Sequence, residues 1–176
     1  MQLRSFILFA FFAVPAAAHG QASISAGVAY PVAPDGFTSA YNPGFSMSGS
    51  FRLPLPEIIV IPRLSAGFAA IQFDEGSDET ERGDLSVIFV GFDAQFIRPL
   101  AMIKPYIAPF LGFTIVSVEG FSEGETGYTI GGAAGVAVRL PAGPHLFAEA
   151  RLLHAYLEGG NLTWIPVHAG IAFDLE

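Results

Sequence analysis

Residues 88–97 read IFVGFDAQFI, which places one carboxylate, that of Asp93, in an otherwise apolar stretch. A buried carboxylate without a partner is costly and tends to become neutral, so Asp93 needs a polar environment. Charged residues of both signs that could pair with one another occur elsewhere in the chain: Arg63, and Glu149 and Arg151 two positions apart in LFAEARLL. Such a set has two uses, as acid–base groups of a catalytic site or as a structural network of ion pairs.

A second group of reactive side chains is the acidic run DEGSDETERGD at 74–84. Its carboxylates are those of Asp74, Glu75, Asp78, Glu79, Glu81 and Asp84. Carboxylate oxygens suit hard cations, but their spacing here matches no EF-hand loop. The run is therefore predicted to be a solvated outer loop, with weak binding of a cation or a partner as the alternative.

The sequence contains no motif that indicates a catalytic site. A catalytic site needs a nucleophile, an orienting partner and access for substrate, and no motif ties a serine to a histidine. The glycines at 131–135 lie in an alternating segment with no helix after it, unlike a phosphate-binding loop. Cysteines are absent, so thiol chemistry is excluded. No catalytic residue, cofactor or metal site is predicted.

In the segments that carry these residues, apolar side chains alternate with small or polar ones. This period of two is the pattern of β-strands whose two faces have different environments. Asp93 shares a face with Gly91 and Gln95, opposite Val90 and Phe92. Eight such strands are predicted, at about 22–32, 43–54, 58–73, 85–98, 104–118, 127–140, 145–157 and 163–174. Their polar faces collect Arg52, Arg63, Asp93, Gln95, Glu149, Arg151 and His168.

The first twenty residues, MQLRSFILFAFFAVPAAAHG, have the three parts of a secretory signal: a positive start, an apolar core and small residues before a cleavage site. Cleavage is predicted after residue 18, with a second acceptable site after Gly20, and one exported domain is predicted over 22–176. The formal net charge of −8 argues against nucleic-acid binding, which requires a basic patch.

Eight alternating strands fit two barrels of opposite orientation. A soluble calycin-like barrel would turn its apolar face inward around an apolar ligand, whereas a membrane barrel turns it outward to lipid. The polar faces here are rich in Gly, Ala and Ser, as a narrow lumen requires. Aromatic residues near the ends of the apolar faces resemble interfacial girdles. These are Tyr30, Phe45, Phe73, Phe96, Tyr128, Tyr156 and Phe173. The lipid-facing orientation is favoured.

The chain resembles the small outer-membrane β-barrel domain family of Gram-negative bacteria. The resemblance is carried by YNPGFSMSGSFRLPL (41–55), KPYIAPFLGFTIV (104–116), GYTIGGAAGVAVRL (127–140), LFAEARLL (146–153) and WIPVHAGIAF (164–173). PYIAPF (105–110) replaces the P-Y-x-G-x-G common in that family, which predicts a local bend in the fifth strand. Phe173, where the family's last strand usually ends, is followed here by three further residues.

The prediction is thus a closed antiparallel up-and-down transmembrane barrel in the cell outer membrane, with side chains filling its lumen. Its role would be structural, or interactive through acidic extracellular loops. The expected partners are outer-membrane lipid, lipopolysaccharide and the assembly machinery, and the expected state is a monomer. The alternatives are the soluble calycin-like binder and a barrel enzyme that modifies lipids, for which His154 near the outer rim is the candidate residue.

Overall fold

The computed structural model describes residues 20–53, 60–74, 83–98, 102–120, 124–141 and 143–175. Eight strands and one short helix follow each other: β1 (Gly20–Ala33), α1 (Asp35–Ala40), β2 (Tyr41–Arg52), β3 (Val60–Phe73), β4 (Leu85–Ile97), β5 (Ile103–Val118), β6 (Glu125–Arg139), β7 (His145–Leu157) and β8 (Gly160–Leu175). The strands agree with the predicted segments to within three residues at each boundary. The predicted signal segment, 1–18, lies outside the described residues.

The strands form one closed barrel, because each pairs antiparallel with the next and β8 pairs with β1. The paired positions, followed once around the barrel, lead from Gln21 to Pro31, ten residues further along β1. Such a stagger inclines the strands to the barrel axis, typically by about 35–45°. The predicted closed up-and-down barrel is confirmed. No helix among the described residues has the length and hydropathy to span a membrane.

The two ends of the barrel differ. The terminal end is where β1 begins and β8 ends, together with the connections 53–59, 98–102 and 140–144. The helix end carries α1 and the connections 74–84, 119–124 and 158–159. Shifts of strand register between Pro31 and Ala33, and between Asn42 and Phe45, lie on either side of α1.

The outer surface is apolar. Phe92, Phe113, Leu111 and Ile107 are all more than 60% exposed, in the middle stretches of β4 and β5. Exposed apolar side chains of this size on a closed sheet suit a lipid environment, in which closure satisfies every backbone hydrogen bond. The soluble calycin-like alternative required the reverse orientation and is wrong.

The aromatic residues predicted for the ends of the outer face are placed there with one exception. Tyr30, Phe45 and Tyr128 are exposed near the helix end, whereas Phe96 and Phe173 are exposed near the terminal end. Phe73 instead packs against the interior, with its ring 5.7 Å from that of Tyr41. Its odd position shares the inward parity of Arg63 and Ser65 in β3, so its assignment to the outer face was wrong.

The inward faces contain more large apolar side chains than the sequence prediction allowed. We name as the apolar layer the buried set in the half of the barrel nearer the helix end: Ile71, Val87, Phe89, Phe110, Leu153 and Trp164. Glycine makes room for them: a Cβ added to Gly67 would overlap the Phe89 ring. An eight-stranded barrel is only wide enough for side chains to fill it, so each large ring needs small neighbours.

Strand β5 has a gap in its pairing where a bend was predicted, and the bend itself stays a prediction. β5 pairs with β6 without interruption from Ile103 to Val116. Towards β4, the paired positions pass from Phe110 to Ile107 and omit Pro109. Proline has no N–H to donate, so the interruption follows from the residue type.

Candidate functional site in the barrel lumen

Four charged side chains form a closed cycle in the lumen, which we call the ion-pair ring: Arg63, Asp93, Glu149 and Arg151. The Arg63 Nε lies 3.0 Å from Asp93 Oδ2 and its Nη1 lies 2.7 Å from Glu149 Oε2. Arg151 completes the cycle through Nε to Glu149 Oε1 and through Nη2 to Asp93 Oδ2, at 3.5 Å. Each of the four residues is at most 4% exposed.

Strand positions explain the assembly of the ring. Arg63 and Asp93 are directly paired residues on β3 and β4. Glu149 and Arg151 lie two apart on the inward face of β7, which is opposite β3 in a ring of eight strands. The ion pairs therefore join opposite walls of the barrel. Removing one member of such a buried set leaves an unpaired buried charge, which typically costs about 3–5 kcal/mol.

Two uncharged residues outside the predicted interior network complete the ring. Ser65 donates its hydroxyl hydrogen bond to Asp93 Oδ2 and accepts one from Arg151 Nη2 at 3.2 Å. Tyr106 donates from Oη to Glu149 Oε2 at 2.9 Å. Ser65 has the same parity as Arg63 in β3, and Tyr106 shares the more polar face of β5 with Lys104 and Thr114. That alternation is the signal that could have identified them. Asp93, with two arginines and a serine, has the polar environment that its sequence context required.

The ring adjoins the apolar layer through Arg151. Its guanidinium carbon lies 5.9 Å from the Phe89 ring centre and 5.8 Å from the Phe110 ring centre. The two phenyl rings meet edge to face at 6.0 Å. Beyond them, the fully buried Trp164 lies 6.5 Å from Phe89. The ion-pair ring and the apolar layer therefore lie next to each other along the lumen, and both fill its cross-section.

The other three predicted interior residues lie in the lumen outside the ring. Arg52 lies at the terminal end and donates to Gln21 Oε1. His168 contacts two serine hydroxyls, Ser46 at 2.9 Å from Nε2 and Ser48 at 3.2 Å from Nδ1. Gln95 is fully buried, and its side-chain amide hydrogen-bonds to no described residue.

The acidic run is described only at its ends. Asp84 is exposed and its Oδ1 accepts a hydrogen bond from the backbone N–H of Phe73 at 3.0 Å. Asp74 is half-buried at the end of β3. Glu75, Asp78, Glu79 and Glu81 lie outside the described residues. In the described part of the chain, no three metal-ligating side chains come together.

His154 lies on the outer face near the helix end, as its parity predicted. Its Nδ1 is 2.7 Å from Thr163 Oγ1, and its ring meets Tyr156 edge to face at 4.5 Å. Tyr156 in turn stacks on Tyr128 at 4.6 Å. Among the described residues, no carboxylate is hydrogen-bonded to the second ring nitrogen of His154.

Comparison with known proteins gives matches at the level of structure alone. No family model matches the sequence. No curated protein matches it either. Neisserial surface protein A superimposes with a TM-score of 0.64 at 17% identity, over 89% of this chain and 96% of that chain.

A second similar structure is Ail, the attachment invasion locus protein of Yersinia pestis. Its crystal structure superimposes with a TM-score of 0.51 at 20% identity, over 88% of this chain and 99% of that chain. Ail bound to the heparin analogue sucrose octasulfate gives a TM-score of 0.53 at 17% identity, with the same coverage. Identities this low establish the fold alone. With its apolar outer face, the chain is a closed eight-stranded barrel of the outer-membrane type.

Proposed function

We propose that the protein is an integral outer-membrane barrel that is closed to solutes and acts through its surface at the helix end. The observation that carries this proposal is the double obstruction of the lumen. The ion-pair ring joins opposite walls, and the apolar layer fills the half of the barrel nearer the helix end. A pore needs a continuous water-filled path, whereas eight strands enclose little more than their own side chains.

The helix end is the proposed extracellular end. Outer-membrane barrels carry their longer loops outside and short turns in the periplasm, and the acidic run 74–84 is the longest connection. Lipid and lipopolysaccharide would contact the apolar outer face, and the assembly machinery would insert the barrel as a monomer.

The charge of the helix end limits the kind of surface partner. The described acids there are Asp35, Asp74, Asp84, Glu119, Glu125 and Glu158. No lysine or arginine accompanies them among the described residues at that end. Like charges repel at an interface, so the proposed partner is cationic, or bound through divalent cations, rather than a sulfated polyanion such as the ligand in the Ail complex.

The absence of cysteine from the chain permits a direct test of orientation. Glu158→Cys lies in the exposed turn between β7 and β8, and Met102→Cys is its matched partner at the terminal end. On intact cells, a membrane-impermeant maleimide should label the Glu158→Cys variant and leave the Met102→Cys variant unlabelled until the cells are lysed. Labelling of Met102→Cys alone would reverse the orientation, and recovery of both variants in the soluble fraction would reject an integral barrel.

The enzyme alternative rests on the 2.7 Å contact between His154 and Thr163 on the outer face. A histidine base next to a hydroxyl nucleophile generally needs a third group to orient it, and no described carboxylate does so. We therefore expect lipid A to remain unchanged by the wild type and by His154→Ala. Modification of lipid A by the wild type, lost in His154→Ala, would contradict a purely surface role.

A further inference from the structure

Positive charge is concentrated at one end of this acidic protein. Two of the described arginines belong to the ion-pair ring, where two carboxylates balance them. All other described lysine and arginine residues lie at the terminal end: Arg52, Arg98, Lys104 and Arg139. The described acids lie mostly at the helix end, so the described residues of the terminal end carry a net positive charge, opposite in sign to the formal net charge of −8.

A cavity of about 380 Å³ lies in the lumen at the terminal end, and every one of the eight strands contributes to its wall. Arg52, Lys104 and Arg139 line it, together with His145. Arg98 lies at the same end of the barrel but is not part of the wall. Charges on the walls of a concave, low-dielectric site focus the electric field into it, so these cations act together on whatever enters.

The only carboxylate among the described wall residues, that of Asp174, is already engaged. Its Oδ1 accepts a hydrogen bond from Gln21 Nε2 at 2.7 Å, and its Oδ2 lies 3.6 Å from His145 Nε2. Lys104 and Arg139 form no ion pair or side-chain hydrogen bond within the described part of the chain. Their donor groups therefore point to an anion that no described residue of the barrel supplies.

The ion-pair ring does not neutralise this cavity. Tyr106 forms part of the cavity wall and lies between the two sites, with its ring centre 5.8 Å from the guanidinium carbons of both Arg52 and Arg63. The carboxylates beyond Tyr106 are matched by Arg63 and Arg151. With a neutral His145, the three cations and Asp174 leave the described wall of the cavity with an excess of two positive charges.

We propose that this cavity binds a small oxyanion of the phosphate class, as free phosphate or as a phosphate ester. A phosphate group carries a charge of about −1.5 to −2 at pH 7, which matches the excess in the cavity better than a single carboxylate does. Two arginines offer planar forks for bidentate contact with its oxygens, and Lys104 adds a point charge. The same chemistry is available from a soluble phosphate compound and from the headgroup of an anionic phospholipid.

Calorimetric titration of inorganic phosphate into the full barrel, held in phosphatidylcholine nanodiscs, tests the proposal. We expect saturable binding by the wild type and at least a tenfold weaker affinity for the double variant Lys104→Gln/Arg139→Gln. Arg98→Gln removes a cation from the same end without touching the cavity, and should bind as the wild type does. No binding by the wild type, or an equal loss in Arg98→Gln, would overturn the proposal. A heat-modifiable gel band establishes beforehand that each variant is folded.

A second arm separates the two sources of phosphate. Replacing part of the phosphatidylcholine by phosphatidylglycerol raises the apparent Kd for phosphate in the wild type if lipid headgroups occupy the cavity. The double variant, titrated in both lipids, corrects for the general repulsion of phosphate by an anionic surface. A rise confined to the wild type assigns the site to a lipid headgroup, whereas equal changes in both proteins assign it to a soluble phosphate compound.

Discussion

Asp93 shows how a charge becomes acceptable inside this barrel. Its carboxylate meets two guanidinium groups and a hydroxyl, all in a water-poor lumen. Alternation along the sequence placed Asp93, Arg63, Glu149 and Arg151 on inward faces, but alternation does not tell which of them meet. That depends on the strand register and on β7 lying opposite β3. Tyr106 was missed because a tyrosine in a membrane strand is expected mainly on the outer face.

The ion-pair ring should contribute strongly to stability. Glu149→Gln removes one of its two negative charges and leaves Arg63 and Arg151 to share Asp93. We expect the free energy of unfolding to fall by about 3 kcal/mol, within the usual range for breaking a buried ion pair. Urea unfolding in lipid vesicles measures it, with the fluorescence of Trp164, the only tryptophan, as the probe.

Glu158→Gln is the matched control for this prediction, because it removes the same charge from an exposed turn. Its free energy of unfolding should remain within about 0.5 kcal/mol of the wild type. Equal stability losses in the two variants would show that net charge, rather than the ring, is responsible.

The hydroxyl of Tyr106 makes a smaller contribution. Tyr106→Phe keeps the ring between Arg52 and Arg63 but removes the hydrogen bond to Glu149 Oε2. We expect a loss of about 1.5–2 kcal/mol, in the lower part of the usual range for a hydrogen bond to a charged group. Tyr128→Phe, on the outer face, should be nearly neutral in the same urea experiment, and an equal loss there would argue against the assigned role of the Tyr106 hydroxyl.

At the scale of elements, the eight strands could be predicted because alternation is strong and continuous in each of them. The helix α1 could not, because its six residues lie within a short polar connection and show no helical periodicity. The inward parity of β3 was also available from the sequence. The prediction for Phe73 was nevertheless wrong, because an aromatic residue near a strand end also fits an interfacial girdle.

Strand β6 supplies a test of how tightly the lumen is packed. A Cβ added to Gly135 would lie 2.5 Å from the Tyr106 ring, whereas one added to Gly132 would meet nothing nearer than 3.7 Å. Overpacking a tight interior typically costs about 1–3 kcal/mol. Gly135→Ala should therefore lower the temperature at which the folded gel band is lost, and Gly132→Ala should not. The reverse order would show that the inward and outward faces of β6 are exchanged.

At the scale of the whole molecule, charge and hydropathy are arranged in layers along the barrel axis. Acids lie at the helix end, the apolar layer and the ion-pair ring follow, and the cationic cavity lies at the terminal end. The sequence predicted a polar, filled lumen but not the apolar layer. Most residues of the inward faces are small, but the lumen of the half nearer the helix end is filled mainly by a few large side chains, among them Phe89, Phe110 and Trp164.

A lumen closed to solutes should show no conductance across planar lipid bilayers. Protein that shows a heat-modifiable gel band should insert without producing stable channel openings. The ion-pair ring and the apolar layer each obstruct the lumen, one after the other along its axis. A reproducible, long-lived conductance with the size of a water-filled channel would contradict the account.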